Sequence, residues 1–465
     1  MESESLHIEV LEQNLRRAAR TVLSGYQAYS GKAKIAREIN DAKAAIARGY
    51  YTPDEDERLR ETFVQYLQIR RDLWQAITEV LHYVDMPRGF KKGNWHAHLK
   101  AFAIGFAGAS FLIRSGYYLI DMAQEYDLVR AKLDEAEPRY GLERKQFKRL
   151  YESLVSTRRM ARYKQACEFY GRYKDEIYAA LDTPPYSEIA DMLRVEEPYF
   201  QTRLRAHFKR KARFNLFRLR RRRQVVVHQA IFFLFEAAGS DIAELKQPLV
   251  KPRGAPKRVN DEVRAQLLEL ALPGDVFVTR HDDALSNVFL PGFWPHAALY
   301  IGTDMDRAAL GVAKSRPEYQ SEAGPVEFLE SKKDGVLFRP AKDTLQVDNC
   351  VILRPKLSKP VVQTALNRAL SHAGKLYDFV FDFTTSDRLV CTELIYRTYH
   401  DPKNMPFILS EKAGRLCLSA EDFLNQALGH DWFEVVAVFG VGGDTLYQGE
   451  AALQTLLKSF DYKAA

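Results

Sequence analysis

The residue pattern of this chain changes once, in residues 247–260, and that change constrains the possible fold. Before it, apolar residues recur at spacings of three and four with few Gly or Pro, which is typical of packed helices. The segment itself, QPLVKPRGAPKRVN, has three prolines and no periodicity, so it is predicted to be a linker. We expect a helical domain (1–246), this linker (247–260), a second domain (261–448) and a C-terminal tail (449–465).

Short runs of β-branched and aromatic residues after the linker predict an antiparallel sheet of about six strands. Lys333-Asp334-Gly335 favours a tight hairpin turn between two of them. Three helices are expected beside the sheet, at 360–374, 391–399 and 420–428, packed on one side. The fold class is therefore an all-α domain followed by an α+β domain. The six predicted strands are Asp275–Thr279, Ala297–Ile301, Val326–Glu330, Val336–Arg339, Val351–Arg354 and Glu434–Phe439.

The four cysteines are scattered without CxxC spacing, which favours free thiols in a reducing compartment. Residues 1–20 are charged and lack the apolar core of a signal peptide, so a cytoplasmic location is expected. His96 and His98 have no further ligand at suitable spacing. No metal and no cofactor are predicted. The uncharged run Ala101–Ile113 is shorter than the ~20 residues of a membrane span and predicts a buried helix that packs closely through Gly105 and Gly108.

Positive charge is concentrated in one segment, residues 203–223, which holds 11 basic residues and no acidic one. Residues 1–250 have 43 Lys/Arg against 33 Asp/Glu, whereas residues 251–465 have 25 against 28. The segment also carries an apolar stripe at helical spacing, so it predicts either a cationic helix on an anionic membrane surface or ordinary core packing with a solvated face. No nucleic acid partner is expected, because the segment lacks a recognisable DNA- or RNA-binding module. The predicted anion-binding residues are Arg205, Lys209, Arg213 and Arg220.

Cys391 is the strongest candidate for a reactive residue. An apolar helical pattern begins at this cysteine, in the stretch SDRLVCTELIYRTY. Unpaired backbone N–H groups in a first helical turn and the helix dipole favour a thiolate, which is the nucleophilic form. A nucleophilic cysteine needs a base, and His296 on the predicted strand PHAALYIG is the candidate.

Six blocks in order resemble the permuted papain-like hydrolases of the YiiX/YaeF type, within the NlpC-like cysteine peptidase superfamily. In that group the histidine precedes the cysteine in the chain, the reverse of papain. The resemblance covers roughly residues 271–440. The blocks are LPGDVFVTR, PHAALYIG, FLESKKDGVLFRP, GKLYDFVFDF, LVCTELIYRTY and CLSAEDFLNQAL.

The resemblance implies a role for each matching residue. Cys391 would be the nucleophile, His296 the base and Glu330 the group that orients the imidazole, with Glu322 and Asp304 as alternatives for the last role. The paired Tyr377 and Asp378 would line the substrate pocket or form a local turn.

The expected activity is hydrolysis of an amide bond in a peptide-like or N-acyl substrate through a thioacyl intermediate. A lipid-directed acyltransferase or lipase at an anionic membrane is the first alternative, because the cationic segment could provide the membrane contact. A non-enzymatic helical scaffold or binding protein is the second.

Overall fold

A computed structural model describes the architecture of the chain. The residues that it describes are 2–29, 41–84, 95–125, 127–205, 256–282, 293–314, 316–320, 324–378, 381–401, 403–412 and 415–462.

The chain forms two compact units. The first contains Met1–Asp134 and Arg144–Gln224, and the second contains Glu135–Glu143 and Val225–Ala465. In the described residues the first unit is helical, as predicted, apart from turns and short 3-10 segments. The predicted linker 247–260 stays a prediction, because most of it lies outside the described residues. In the described residues, the helices of the first unit with full bounds are α1 (Glu2–Tyr29), α2 (Pro53–Val84), α3 (Trp95–Glu125), α4 (Asp127–Leu133), α5 (Gln146–Leu154), α6 (Thr157–Arg172), α7 (Lys174–Ala180) and α8 (Tyr186–Glu196), and residues 41–48 and 200–205 are also helical.

Helix α3 is the central helix of the first unit and packs against α1, α2 and α8. Gly105 and Gly108 permit the close approach, since a Cβ on Gly105 would lie 3.1 Å from Val80 and one on Gly108 would lie 3.2 Å from Ile77. By length and composition alone, Trp95–Asp121 could cross a membrane, but 67% of its apolar window is buried inside the protein. The prediction of a closely packed buried helix is confirmed.

The second unit combines strands and helices, which confirms the predicted α+β class. Four of its helices in the described residues, at Asp261–Leu270, Asp304–Ala309, Ala341–Thr344 and Gly449–Ser459, have no counterpart in the sequence analysis, and the last lies in the segment assigned as a tail. Its helices are α9 (Asp261–Leu270), α10 (Asp304–Ala309), α11 (Ala341–Thr344), α12 (Lys359–Leu370), α13 (Cys391–Tyr399), α14 (Ala420–Gly429) and α15 (Gly449–Ser459). Its strands are β1 (Val276–Arg280), β2 (His296–Tyr300), β3 (Phe328–Lys332), β4 (Gly335–Arg339), β5 (Asn349–Pro355), β6 (Leu376–Tyr377), β7 (Arg388–Leu389), β8 (Ser410–Lys412), β9 (Arg415–Cys417), β10 (Phe433–Phe439) and β11 (Leu446–Gln448).

The main sheet, counted over the described part of the chain, has seven antiparallel strands in the order β11-β10-β5-β1-β2-β3-β4. All six predicted strands belong to it, so that prediction is confirmed. Strand β11 is the addition. It is only three residues long and pairs with the end of β10.

Helices cover both faces of this sheet, so the predicted helices on one side are only part of its cover. On one face, Leu267 of α9 packs with Phe277 and Ile352 in a buried cluster. The other face carries α13 and α14. There Tyr399 and Phe423 each contact the ring of Phe433 at 5.4 Å between centroids. Because side chains alternate along strands, both faces of the sheet carry apolar residues that must be covered. The helix that covers the second face, α9, was not predicted from the sequence.

Gly335 in the hairpin between β3 and β4 is predicted to be intolerant of a side chain. Its φ is +106°, and a Cβ there would lie 2.5 Å from the carbonyl oxygen of Lys375. We expect Gly335→Ala to lower the free energy of unfolding by about 2 kcal/mol or more, because both the backbone conformation and the contact oppose it. Urea unfolding monitored by circular dichroism measures the change.

The matched control is Gly429→Ala at the end of α14, where a Cβ meets nothing within 4 Å. Its stability should be unchanged or slightly higher, since alanine favours a helix. Equal losses in the two variants would contradict the assignment of strain to Gly335.

Candidate active site

Cys391 is the first residue of α13, which confirms the prediction that a helix begins at this cysteine. Cys391 is 3% exposed to solvent. The helix packs against both β2 and β3. The position leaves the backbone N–H groups of the first turn without partners inside the helix, next to the thiol.

The sheet opens where the helix begins. Strands β2 and β3 are paired only at Leu299–Leu329 and Tyr300–Phe328, so the ladder stops before it reaches His296. Beyond that point, the backbone N–H of Ala297 donates to the Cys391 sulfur. The first turn of α13 therefore reaches the edge of β2 that β3 leaves unpaired. Because β3 leaves this edge open, Cys391 on α13 can contact His296 on β2.

His296 is the first residue of β2, and its imidazole lies between two partners. Nε2 is 2.7 Å from Glu330 Oε1 on β3. The ring also forms a hydrogen bond with the Cys391 side chain. Because a carboxylate can only accept, Nε2–H donates to Glu330, and Nδ1 is the ring nitrogen left for Cys391. The His296 side chain keeps 23% of its exposure, so the site is open to solvent at the imidazole.

Glu330 is fully buried and is held by several groups besides His296. Its Oε2 accepts a hydrogen bond from Thr344 Oγ1 at 3.0 Å. The same oxygen lies 2.9 Å from Lys332 Nζ and 3.3 Å from Arg339 Nε. Such a carboxylate is fixed in place and stays ionised, which suits a group that orients an imidazole.

Of the two alternatives to Glu330, Asp304 lies elsewhere. It begins α10, its side chain is 92% exposed, and it forms an ion pair with Arg307. Glu322 lies outside the described residues.

The side chains of Cys391, His296 and Glu330 stabilise one another's charged forms. Burial alone would raise the pKa of the Cys391 thiol, but His296 and the backbone N–H groups of Ala297 and Thr392 hold that pKa below its usual range. Burial opposes a charged imidazole, yet Cys391 and Glu330 raise the pKa of His296 to about 9. Burial likewise opposes ionisation of Glu330, but Lys332 and His296 lower its pKa to about 2. At neutral pH these shifts favour a thiolate beside an imidazolium.

Tyr377 lies beside the cysteine, on β6. Strand β6 pairs with β7 so that Tyr377 is opposite Leu389, two residues before Cys391. Burial, followed by the Cys391 thiolate and Asp378, raises the pKa of the Tyr377 hydroxyl well above its ordinary value. Tyr377 is therefore close enough to the thiol to be affected by its charge.

Asp378 is buried, and its carboxylate accepts a hydrogen bond from the backbone N–H of Asp382 at 2.7 Å. This contact closes the turn that follows β6, which is the local role the sequence analysis had left open. A role of Asp378 in substrate binding stays a prediction.

His281 is a residue near the site that the sequence analysis did not select. It directly follows β1, and Thr279 of that strand is paired with His296, so His281 lies diagonally across from the catalytic candidate. Burial and the positive charges of Lys257, His296 and Lys332 lower the pKa of His281 to about 4. Its only sequence signal was an adjacent aspartate, which is common by chance.

The predicted anion-binding residues lie mostly outside the described part of the chain. This applies to Lys209, Arg213 and Arg220, whereas Arg205 is exposed at the end of a described helical segment. Arg203, the first base of the segment, is buried and paired with Glu196, which also lies 2.8 Å from Arg114. Arg203, one of the 11 basic residues, therefore forms an ion pair within the first unit.

Among the described residues, no group of three or more His, Cys, Asp or Glu side chains could hold a metal ion. His96 and His98 begin α3, and the His98 ring stacks on Trp95.

An antiparallel sheet with a histidine on a strand and a cysteine at the start of a packed helix has the features of a papain-like cysteine hydrolase, here with the histidine first in the chain. Residues 271–436 match the model of a family described as "Permuted papain-like amidase enzyme, YaeF/YiiX, C92 family". The match covers a little over a third of the chain and confirms the resemblance of the C-terminal domain to these amidases. Searches of curated proteins and of solved structures found no match.

Proposed function

We propose that the second unit is a cysteine-dependent hydrolase that cleaves an amide bond of a peptide-like or N-acyl substrate through a thioacyl intermediate on Cys391. One observation carries the proposal. A cysteine at a helix start is hydrogen-bonded to a histidine whose Nε2 is 2.7 Å from a buried, ionised glutamate. Activated cysteines require this order of nucleophile, base and orienting group.

In the first step the Cys391 thiolate attacks the amide carbonyl carbon, and the carbonyl oxygen becomes an oxyanion. The backbone N–H of Cys391, in the first helical turn, is the proposed first donor to that oxyanion. The C–N bond then breaks, and the His296 imidazolium gives its proton to the departing amine. The acyl group is left on sulfur, and His296 is neutral.

In the second step neutral His296 removes a proton from water, and the hydroxide attacks the thioester carbon. The C–S bond breaks, the acid is released, and the thiolate and imidazolium are restored. Glu330 holds the ring so that Nδ1 faces the sulfur in both steps, and its charge stabilises the imidazolium that the first step requires.

Tyr377 is proposed to contact the acyl group, because it pairs with Leu389, two residues before the cysteine, and its hydroxyl is affected by the charge of the thiolate. Contact of residues 203–223 with an anionic membrane, and the lipid-directed alternative that depends on it, stay predictions. Arg205 is the basic residue proposed for that contact within the described chain.

Alkylation by iodoacetamide tests the proposal without a known substrate. At pH 7, Cys391 is expected to react at least about 30-fold faster than an ordinary thiol of pKa ~8.5, because it is already ionised. The rate should fall as the pH drops through the lowered pKa of Cys391. Mass spectrometry of the labelled peptides gives the rate at each cysteine across pH 4–10.

The other cysteines are internal controls. Burial raises the pKa of Cys167 to about 11 and that of Cys350 still higher, so neither should react near neutral pH. Cys417 is half-buried and provides a reference for access to the reagent. If Cys391 reacts no faster than Cys417 at pH 7, the proposed nucleophile is wrong.

A further inference from the structure

One segment of the second unit comes from the first half of the sequence. Residues Glu135–Glu143, which we call the strap, belong to the second compact unit although the residues on both sides belong to the first. The strap has a defined conformation. Glu137 and Leu142 exchange backbone hydrogen bonds of 2.9 and 3.0 Å around a short 3-10 turn, and Gly141 adopts a φ of 63°.

The base of the strap is closed by Asp134. Its carbonyl oxygen accepts a hydrogen bond from the backbone N–H of Lys145 at 2.7 Å. Its carboxylate accepts another from the N–H of Lys148 at 2.8 Å. These bonds are made within the first unit, so the strap is a nine-residue loop with both ends fixed there.

Glu135 binds the loop that leads into the reactive cysteine. Its Oε2 accepts two hydrogen bonds from Ser386, one from the backbone N–H at 3.1 Å and one from Oγ at 2.8 Å. Glu135 is 7% exposed and Ser386 is 0% exposed. Hydrogen bonds to a charged acceptor at this depth are stronger than ordinary ones. Ser386 lies five residues before Cys391.

A second contact of the strap reaches the neighbouring segment. The carboxylate of Glu137 is 3.5 Å from Lys375 Nζ, and both side chains are buried. Lys375 directly precedes β6, which carries Tyr377. The strap thus holds the residues before β6 and those before β7, the two short strands beside the thiol.

The loop between Thr385 and Val390 has further anchors. The Ser331 hydroxyl donates to the carbonyl oxygen of Leu389 at 2.7 Å. Arg397 Nη2 donates to the carbonyl oxygen of Thr385 at 3.0 Å, while its Nε donates to Glu393 of the same helix. These anchors belong to β3 and α13, whereas Glu135 lies about 250 residues away in the sequence.

We propose that the strap is part of the catalytic unit and that Glu135 is a positioning residue. Glu135 holds the loop Ser386–Val390, and this loop determines where Cys391 lies relative to His296. This inference rests on the proposed function for its effect on reactivity. Loss of the Glu135 carboxylate frees the start of the loop and displaces the first turn of α13 from His296 and the N–H of Ala297. The thiolate then loses stabilisation, and its pKa rises toward the ordinary value.

The test is a double-mutant cycle on the full chain with Glu135→Ala, Ser386→Ala and the pair. Glu135→Ala should slow alkylation of Cys391 at pH 7 by about 5- to 10-fold and move the pH profile upward, because a smaller fraction of the thiol is ionised. Ser386→Ala should act in the same direction but less strongly, because the backbone N–H of residue 386 still donates to Glu135. The double variant should be no slower than Glu135→Ala, since the hydroxyl bond that Ser386→Ala removes is one of the two that Glu135→Ala already removes. Backbone amide exchange at residues 386–390 should be faster in all three.

Glu143→Ala is the matched control, an exposed glutamate of the same strap, and it should leave alkylation and exchange unchanged. Glu135→Gln keeps the acceptor oxygen without the charge and should lie between the alanine variant and the natural protein. If Glu135→Ala does not fold, Glu135→Gln and Ser386→Ala decide the question by the same readouts.

Effects that add in the double variant, or a natural pH profile in a folded Glu135→Ala, would overturn the inference. An unreactive Cys391 in the natural protein would instead refute the proposed function. In that case, amide exchange at residues 386–390 still decides whether the strap holds the loop.

Discussion

The His296→Ala variant is expected to lose most of the reactivity of Cys391. Without the imidazolium, the pKa of the thiol returns to about 8.5 or above, because burial is then opposed only by backbone N–H groups. The ionised fraction at pH 7 falls to a few per cent. Alkylation by iodoacetamide should therefore slow by about 30-fold or more at pH 7, and the difference should narrow by pH 10.

Amide hydrolysis should fall further than alkylation in this variant, by about 10³-fold or more, because His296 also carries the proton to the leaving amine. Release of a fluorescent amine from a panel of N-acyl amides measures this step once one member is a substrate. The matched control is His430→Ala, an exposed histidine after α14 whose ring stacks on Trp432. A folded His296→Ala protein with alkylation within threefold of the natural rate would contradict the pairing.

The Glu330→Gln variant is expected to be less stable than the natural protein. It is also expected to lose hydrolytic activity at the alkaline end of the pH range. Lys332 and Arg339 lose a buried counterion, and breaking such a set is strongly destabilising. The pKa of Glu330 is lowered from 4.5 to about 2, which corresponds to a contribution of about 3 kcal/mol to the free energy of unfolding. Because the folded-state pKa is the lower one, this contribution is present above pH 4.5 and disappears as the pH falls toward 2.

Urea unfolding at pH 7 and pH 3 tests both parts of that expectation. The difference between Glu330→Gln and the natural protein should be largest at pH 7 and smaller at pH 3. Glu262→Gln, an exposed change in the first turn of α9, should alter stability by less than ~0.5 kcal/mol. A Glu330→Gln protein as stable as this control would show that the carboxylate is not a buried counterion.

Glu330→Gln also separates two effects of Glu330, which are the orientation of the His296 ring and the stabilisation of its charged form. The amide of glutamine still accepts from Nε2–H but carries no charge, so the pKa of His296 should fall from about 9. Alkylation of Cys391 at pH 7 is expected to slow less than in His296→Ala, by about 3- to 10-fold. The alkaline limb of hydrolysis should move to lower pH, because the imidazolium loses its proton earlier.

Local residue patterns were enough to predict six of the seven strands of the main sheet and the helix that carries Cys391. The strands around Val278, Leu299 and Val351 appeared as β-branched or apolar runs, and Asp334-Gly335 marked the hairpin. The helix start at Cys391 followed from the spacing of Leu394, Ile395 and Tyr399. These features depend on neighbours within a few positions, which is the range over which propensity and periodicity act.

The remaining features depend on distant partners. The short pairing of β2 with β3, beside which α13 packs, leaves no mark on the strand sequences. Strand β11 has three residues and is stabilised by its pairing with β10. Glu135 looks like any acid in a polar loop, because the serine that it binds lies 251 positions later.

That separation has a consequence for biosynthesis. At ~5–20 residues per second, a ribosome adds Ser386 about 10 to 50 s after Glu135. The helical unit can fold during this interval, while the carboxylates of the strap remain in water. The loop before Cys391 acquires its Glu135 anchor only after Ser386 has been made, 251 residues later. Incomplete translation products that end before Ser386 therefore contain the strap but no reactive cysteine, and a free C-terminal fragment contains the cysteine but lacks the carboxylate that holds its loop.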